Sequence, residues 1–307
     1  MKESKKIAIC IPCYNEEKSI GKVIKDFKLA IPQGRIYVYD NCSSDQTLNI
    51  AKENGAEVKQ VSKKGKGNVV KRMFADIDAD FYILVDGDDT YDASISKDII
   101  ERLVSNDIDM IVATRKTNNL SGEYRKGHEF GNKLLTSSVS LLFGRGFTDM
   151  LSGYRFMNKR FVKSMPLLSS GFEIETEITI HSLQIGATFE EFETEYFSRV
   201  DGSESKLNTY RDGLKIAKKI FLMFKDEKPF IFFSILAVLF FVSSIYIFTP
   251  VLETYLETGF VPRLPTAVLS SVLMILSFLS LITGLILDTI VNLKKQIKRL
   301  EYLRYDI

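Results

Sequence analysis

The sequence is poor in tryptophan, histidine and cysteine. Its 307 residues contain no tryptophan, two histidines and three cysteines. His128 and His181 are too few for a histidine-based zinc site. Cys10 and Cys13 match C-x-x-C, but Cys10 ends a strand-like run and no helix with a redox cysteine at its start is evident, so a redox role is not favoured. Three cysteines fit a reducing cytosol. A formal net charge of +2 gives no general argument for nucleic-acid binding.

Two nucleotide-binding signatures are also missing. No G-x-G-x-x-G follows the first predicted strand, and no G-x-x-x-x-G-K-S/T occurs anywhere in the chain. These absences argue against a dinucleotide-binding dehydrogenase and against a P-loop enzyme.

Two long uncharged runs lie near the C-terminal end, at residues 230–249 and 266–287. Each is long enough to cross ~30 Å of hydrocarbon as a helix, which predicts two transmembrane helices. The alternative is a buried hairpin in a soluble core. Basic residues crowd before the first run and after the second, whereas residues 250–265 between them hold a single one. The positive-inside rule therefore places both ends in the cytoplasm.

The transmembrane prediction sets the domain boundaries. The opening apolar run is too short for a signal peptide, so residues 1–208 are expected to form a cytosolic domain. Apolar residues near helical spacing, with lysines between them, predict an amphipathic juxtamembrane helix at 209–229, in contact with membrane lipid; an ordinary surface helix is the alternative. Residues 288–307 are expected to be a basic cytoplasmic tail. Two helices alone offer little packing within a membrane, which favours a homo-oligomer.

The cytosolic part alternates between strand-like and helix-like segments. We predict strands at 6–11, 35–40, 57–61, 81–86 and 108–113, and helices at 16–30, 44–54, 67–79 and 94–105. Such a βα series implies an α/β fold with a mostly parallel sheet covered by helices on both faces.

The stretch "FYILVDGDDTYD", residues 81–92, runs from a buried-strand pattern directly into several carboxylates. Ligands collect at the carboxyl ends of parallel strands, and Mg²⁺ or Mn²⁺ takes one or two carboxylates together with phosphate oxygens. Asp86 and Asp88 are therefore candidate metal ligands. A solvated acidic turn is the alternative, because crowded carboxylates repel one another.

Polar segments follow three further predicted strands: "PCYNEE", "DNCSSD" and "KKGKGN". These segments would share one edge of the sheet with the carboxylates, and they suit a nucleotide. Lys66 and Gly67 enter a helix, where a cation and backbone N–H groups could bind a phosphate. A plain solvated lysine loop is the alternative.

Six segments in order resemble a known family: "IPCYNEEKSI", "VYDNCSSDQT", "KGKGN", "LVDGDDTYD", "DMLSGYR" and "SKLNTYRDG". Together they look like the GT-A glycosyltransferases of family 2, in the membrane branch that glycosylates polyprenyl phosphate. The likeness covers residues 6 to about 225. It implies a Rossmann-like, mostly parallel GT-A domain, followed by an interfacial helix and two transmembrane helices.

The resemblance also implies a donor-nucleotide site. The first motif would wrap the base and ribose, and the second would contact the base, where this chain has Asp40-Asn41 instead of the family's Asp-Asp. Asp86 would lie near the ribose and the metal, and Asp88 would bind the metal that bridges the diphosphate. The donor-binding residues expected in this way are Pro12, Tyr14, Asn15, Glu16, Asp40, Asn41, Lys66, Gly67, Asp86 and Gly87. Glu16 could instead favour the first turn of its helix.

The resemblance places a lipid phosphate acceptor beside the donor. The residues expected to meet the acceptor phosphate are Arg115, Arg125, His128, Arg199 and Lys206. Asp88 and Asp149 are the expected catalytic residues. A phosphate monoester with a second pKa near ~6 is already largely a dianion, so it needs no general base. Asp149 would then position the donor sugar or the acceptor, or cap a turn; Glu173 and Glu177 are runner-up carboxylates.

The resemblance predicts a metal-dependent, inverting transfer of a sugar from a UDP-sugar to undecaprenyl phosphate, at the cytoplasmic leaflet of a bacterial inner membrane. Glucose is the first expectation and N-acetylglucosamine the second, while GDP-mannose stays open because the base motif departs from the family pattern. A processive synthase is less favoured, since two spans are too few for a channel and Q-x-x-R-W is absent. A non-catalytic membrane scaffold is the remaining alternative.

Overall fold

The computed structural model describes residues 5–116, 134, 136–141, 146–171, 173–197, 218 and 221–305. The chain divides into two compact units. One comprises residues 1–213 together with 296–307, and the other comprises residues 214–295.

A seven-stranded sheet forms the centre of the first unit, with the order β3-β2-β1-β4-β6-β5-β7. Its strands are β1 Ile7–Cys13, β2 Arg35–Asp40, β3 Glu57–Gln60, β4 Phe81–Leu84, β5 Met110–Arg115, β6 Arg155–Asn158 and β7 Phe189–Thr194. Only β6 runs antiparallel to its neighbours, β4 and β5. The predicted mostly parallel α/β sheet is therefore confirmed.

The helices of this unit alternate with the strands over the first half of the chain. They are α1 Ile20–Ala30, α2 Thr47–Glu53, α3 Lys66–Asp76, α4 Ser96–Ser105, α5 Lys159–Lys163 and α6 Ile174–Ile185. The predicted positions hold, but α1 begins four residues later than expected. The reason is a turn at the end of β1, in which Ser19 N–H donates to Glu16 O at 3.1 Å.

The core of the sheet is continuous across its central strands. Ile9, Ile83, Ile111 and Phe156, from β1, β4, β5 and β6, are fully buried. A central strand covered on both faces needs such apolar runs. The edge strand β3 is short and largely exposed, which protects the sheet against pairing with other chains. The sheet is thus a rigid platform for the loops at its carboxyl edge.

A buried arginine organises the start of β6. Arg155 is fully buried, and its guanidinium donates to Met150 O at 2.7 Å, to Ser152 O at 3.0 Å and to Thr179 Oγ1 at 2.9 Å. Burial lowers its pKa to about 10, so the side chain remains charged at neutral pH. Arg155 therefore ties the loop before β6 to helix α6.

Two long apolar helices make up most of the second unit, α7 Pro229–Thr258 and α8 Leu264–Arg304. Both are long and apolar enough to span a membrane. In their most apolar stretches of 18 residues, only 11% and 22% of the residues are buried inside the protein. The predicted spans 230–249 and 266–287 lie within them. Ser277 Oγ donates to Ala237 O at 2.9 Å, which joins the two helices. Of the predicted juxtamembrane helix, most residues lie outside the described part of the chain.

The end of α8 belongs to the first unit. The Tyr302 hydroxyl lies 2.9 and 2.8 Å from the two carboxylate oxygens of Asp109, at the start of β5. Arg299 donates to Ile185 O at 2.7 Å. Arg160 also pairs with Asp109, at 2.9 Å, and lies over the Tyr302 ring. The expected basic tail is therefore helical up to Arg304, and its last turns pack with the sheet domain.

A buried histidine gives this domain a pH-dependent stability. Burial lowers the pKa of His181 to about 3, and nearby Lys298 adds to the effect. The unfolded side chain titrates near ~6.5. Between these values the unfolded chain binds a proton that the native protein does not, so stability falls as the pH falls, by up to ~1.4 kcal/mol per pH unit.

We expect His181→Gln to flatten this dependence. Glutamine can keep a hydrogen bond to Ser164 Oγ, which lies 3.1 Å from Nε2, but it does not titrate. The midpoint of thermal unfolding, measured from pH 7.5 to pH 5, should fall less steeply for the variant than for the parent. Parallel curves for the two proteins would contradict the assignment.

Candidate active site

Two of the four carboxylates after β4 have local structural roles. Asp89 forms an ion pair with Lys22 of α1 at 2.7 Å, and it takes a left-handed backbone conformation with φ 59°. Asp92 accepts a hydrogen bond from Ser94 N–H at 2.8 Å. These contacts shape the turn that follows the strand.

Asp86 and Asp88 face a different environment. Asp88 is 5% exposed, and its Oδ1 accepts a hydrogen bond from Thr90 Oγ1 at 2.7 Å. Asp86 is more open, with 29% of its side chain exposed, and its Oδ1 lies 2.5 Å from Lys66 Nζ. No cluster of three or more histidine, cysteine or acidic side chains that could hold a metal occurs among the described residues. Two carboxylates suit a hard cation that fills its other positions with phosphate and water.

Lys66, the first residue of α3, bridges two carboxylates. Besides Asp86 it contacts Glu175 Oε1 of α6, also at 2.5 Å. Burial opposes its charge, but Asp86 and Glu175 outweigh burial and raise the pKa of Lys66 above its usual value. The lysine is therefore a fixed cation at the carboxyl edge of the sheet. It is not a solvated loop residue.

Two glycines allow this edge to close. A Cβ at Gly67 would lie 2.4 Å from Ser169 O, and a Cβ at Gly153 would lie 2.4 Å from Asp86 Oδ2. Gly67 N–H donates to Gly171 O at 3.1 Å. This N–H already has a neighbouring carbonyl as acceptor, and Gly67 packs closely against the backbone at Ser169. A contact between Gly67 and a phosphate stays a prediction.

Asn41 ties the end of β2 to the lysine-rich loop. Its Nδ2 donates to Val61 O at 3.1 Å and to Lys63 O at 3.0 Å, and its Oδ1 accepts from Gly65 N–H at 2.6 Å. An aspartate could not donate the first two bonds. The departure from Asp-Asp therefore has a structural reason in this chain, and a contact between Asn41 and a base remains a prediction.

Asn41→Asp should destabilise the domain. A carboxylate would face two carbonyl oxygens, and the loss of two buried bonds costs about 2 kcal/mol. We expect a lower midpoint of thermal unfolding. Asn49→Asp is the matched control, because Asn49 is exposed on α2 and bonds only Gln46 among the described hydrogen bonds. Equal midpoints for the two variants would show that the Asn41 contacts do not stabilise the loop.

The loops after β1 and β2 are joined to each other. Asn15 has φ 54°; its N–H donates to Ser43 Oγ at 2.8 Å, and its Oδ1 accepts from Ser44 N–H at 2.9 Å. Glu16 N–H donates to Thr47 Oγ1 at 2.8 Å. These contacts hold the two strand-end loops as one surface.

The remaining predicted donor residues differ in exposure. Pro12 is buried inside β1, opposite Tyr39 of β2, whereas Tyr14 is 37% exposed. Asp40 is fully buried; its Oδ2 accepts from Ser43 N–H at 3.0 Å. Its Oδ1 has no hydrogen-bond partner within the described part of the chain. Gly87 packs closely, since a Cβ there would lie 2.7 Å from Cys13 Sγ.

An ion pair stands at the end of β5. Arg115 donates from Nε to Asp149 Oδ2 and from Nη2 to Asp149 Oδ1, both at 2.7 Å. Its guanidinium lies 5.5 Å from the ring centroid of Tyr196. Because β6 is antiparallel, the loop that precedes it reaches the carboxyl edge of the parallel strands and brings Asp149 there. Asp149 therefore orients Arg115 by a bidentate contact.

The structure brings part of the predicted acceptor site to this edge. Arg115 lies there, whereas Arg125, His128, Arg199 and Lys206 lie outside the described residues. Sequence reasoning missed Glu175 and weighed Glu173 and Glu177 instead. Glu177 accepts from the N–H groups of residues 168 and 169, and Glu173 is exposed. The sequence signal that could have indicated Glu175 is its position on the buried face of α6.

The sheet order and the polar groups at its carboxyl edge are those of a GT-A glycosyltransferase fold. The chain belongs to glycosyl transferase family 2, whose sequence model matches residues 8–165. Protein RfbJ of Shigella flexneri is 56% identical over 128 residues, which are 42% of this chain and 99% of RfbJ. A dolichyl-phosphate hexose transferase of Haloferax volcanii is 26% identical over 223 residues, 72% of this chain and 95% of the relative.

Solved structures show the same fold. Glucosyl-3-phosphoglycerate synthase from Mycobacterium tuberculosis, crystallised with Mn²⁺ and UDP-glucose, superposes with a TM-score of 0.57 at 18% identity. The match covers 74% of this chain and 80% of that protein. The solved structure confirms the predicted GT-A fold, and the family model confirms the predicted membership of family 2.

Proposed function

We propose that the protein transfers a hexose, with glucose as first choice, from a UDP-sugar to undecaprenyl phosphate or a similar polyprenyl phosphate. The product would be a lipid-linked monosaccharide at the cytoplasmic leaflet of a bacterial inner membrane. The observation that carries the proposal is a single edge of the sheet that presents Asp86, Asp88 and Lys66 together with the Arg115–Asp149 pair. Carboxylates and a lysine suit a metal-bound diphosphate, and an oriented arginine suits a second phosphate.

The two apolar helices support a lipid acceptor. Most of their side chains are exposed, and exposed apolar surface of this extent needs a covering such as lipid. The core helix of a soluble protein would be buried instead. Family 2 relatives that act on dolichyl phosphate, by their names, support the same acceptor class.

The carboxylate of Asp40, at the end of β2, favours a donor nucleotide whose base is uracil. Asp40 already uses Oδ2 for Ser43 N–H, so one oxygen remains without a partner among the described residues. Uracil offers one imide N–H, whereas guanine offers two neighbouring donors on the edge that a carboxylate would bind. The Asp40 oxygen has almost no accessible surface, so a base would contact it only after neighbouring side chains move. GDP-mannose is the less favoured donor, and UDP-N-acetylglucosamine remains the alternative sugar.

Asp86 and Asp88 would hold Mg²⁺ or Mn²⁺, which when bound would neutralise the charge of the leaving nucleoside diphosphate. Lys66 would contact the same diphosphate. Arg115, oriented by Asp149, would place the acceptor phosphate behind the anomeric carbon. A phosphate oxygen forms the new bond as the bond to the nucleoside diphosphate breaks, which inverts the configuration. The acceptor dianion needs no base, so Asp149 acts by positioning Arg115.

The test is a transfer assay with detergent-purified protein, undecaprenyl phosphate and Mn²⁺ or Mg²⁺. Labelled UDP-glucose, UDP-N-acetylglucosamine and GDP-mannose are offered separately. Label in an organic-extractable, mild-acid-labile product from UDP-glucose is the expected result. A product from another donor would keep the proposed reaction but identify a different sugar. No lipid product from any donor would favour the scaffold alternative.

A further inference from the structure

Lys66 makes two short ion pairs in a largely enclosed position. Its side chain is 12% exposed, and those of its partners Asp86 and Glu175 are 29% and 5% exposed. Each carboxylate oxygen lies 2.5 Å from the ammonium nitrogen. One cation therefore serves two carboxylates, of which only Asp86 is a proposed metal ligand.

The surroundings of Asp86 leave little room for a second cation beside Lys66. The lysine lies on Oδ1, and the backbone at Gly153 closes on Oδ2, since even a Cβ there would stand 2.4 Å from it. Two cations close to one carboxylate repel each other strongly in an enclosed site. A divalent ion that binds Asp86 must therefore displace or repel the Lys66 ammonium.

Glu175 is fixed independently of Asp86. It lies on α6, where the Thr179 hydroxyl donates to Glu175 O at 2.9 Å. Arg155 in turn donates to that hydroxyl, also at 2.9 Å. The helix that carries Glu175 is thus tied to β6, whereas Asp86 lies after β4. Glu175 can keep its contact with Lys66 while the Asp86 contact is lost.

We propose that Lys66 and the divalent metal compete for Asp86, and that Glu175 is a positioning residue that retains Lys66 in the site when the metal takes Asp86. The inference rests on the proposed function in one respect, namely that Asp86 and Asp88 hold the metal. The diphosphate of the donor offers the displaced ammonium a new partner. Metal and nucleotide should therefore bind cooperatively, and the metal alone should bind weakly.

The first experiment measures Mn²⁺ binding to the full-length protein in detergent, without nucleotide, by electron paramagnetic resonance of the free ion. Lys66→Met should bind Mn²⁺ at least tenfold more tightly than the parent, because the competing charge is gone. Loss of the fold would remove the fixed arrangement of Asp86 and Asp88 and so would lower the affinity of this site. Lys64→Met is the matched control, because Lys64 is an exposed lysine in the same loop, and it should match the parent.

The second comparison concerns Glu175. Within the described part of the chain, Glu175→Gln leaves Asp86 as the sole carboxylate partner of Lys66, so Mn²⁺ should bind at least threefold more weakly than to the parent. Glu173→Gln, at the exposed residue just before the same helix, is the control, and it should change nothing. The inference is overturned if Lys66→Met gains no affinity or if the two glutamine variants behave alike.

Asp88→Asn separates this inference from the proposed function. The titration needs neither donor nor acceptor, so it can be read even if the donor proves to be a different sugar nucleotide. If Asp88→Asn removes Mn²⁺ binding while Lys66→Met gains none, the metal site stands and the competition is wrong. If Asp88→Asn binds Mn²⁺ like the parent, the proposed metal site itself is wrong.

Discussion

Asp88→Asn is expected to lower the rate of sugar transfer at saturating donor by roughly 10³-fold. Asp88 is nearly buried and held by Thr90, so its carboxylate has a fixed direction at the end of β4. Asparagine keeps the size of the side chain but removes the charge that a divalent ion needs. The measurement is the initial rate of labelled lipid product at saturating donor and saturating metal.

Asp89→Asn is the matched control for this prediction. Asp89 is the neighbouring residue, and its partner is Lys22, whose side chain is 62% exposed. Its left-handed backbone conformation also suits asparagine. Loss of an ion pair with an exposed lysine costs at most about 1 kcal/mol, so the control should keep most of the activity. Equal rates for the two variants would remove Asp88 from the metal site.

The sequence could predict those parts of the molecule that depend on local patterns. The alternation of strands and helices from Ile7 to Arg115 follows from apolar runs and their spacing. The position of Asp86 and Asp88 follows as well, since the end of a buried strand is readable from the sequence. Parallel strands bring their carboxyl ends together, so the strand-end motifs could be assigned to one edge.

The site features that escaped prediction depend on tertiary contacts. Strand β6 runs antiparallel between β4 and β5. This insertion brings Gly153 to the edge, together with Asp149, which only the family resemblance indicated. Glu175 reaches Lys66 across a long stretch of chain. The role of Asn41 follows from two carbonyl groups of the next loop. No periodic pattern in the sequence indicates any of these contacts.

The C-terminal end shows the same limit. The basic composition of residues 288–307 predicts a cytoplasmic tail and indicates nothing about packing, whereas Tyr302 is buried against Asp109. Burial raises the pKa of Asp109, and hydrogen bonds from Asn158, Arg160, Thr188 and Tyr302 outweigh burial and lower it overall. Tyr302 therefore makes a packing contact with the sheet domain that a count of charges in this segment does not indicate.

Asp149→Asn is expected to lower kcat/KM for the acceptor by about 10²-fold, equivalent to nearly 3 kcal/mol. Asparagine cannot accept both guanidinium bonds as a carboxylate does, so Arg115 would lose its direction and its charge would be only partly compensated. Arg115→Lys should cause a similar loss, because a lysine cannot form the bidentate contact. Arg102→Lys, in an ion pair with Glu190 in which the Arg102 side chain is 51% exposed, is the control.

The comparison of these variants decides between positioning and base catalysis. If Asp149 only orients Arg115, then Asp149→Asn and Arg115→Lys lose activity to a similar degree, mainly through KM for the acceptor. Their pH profiles should then keep the shape of the parent's, since the acceptor phosphate sets the acidic limb near pH ~6. A general base would behave differently: Asp149→Asn would lose kcat and the acidic limb would change, while Arg115→Lys would keep both. Such a result would make Asp149 a general base and leave Arg115 as its electrostatic partner.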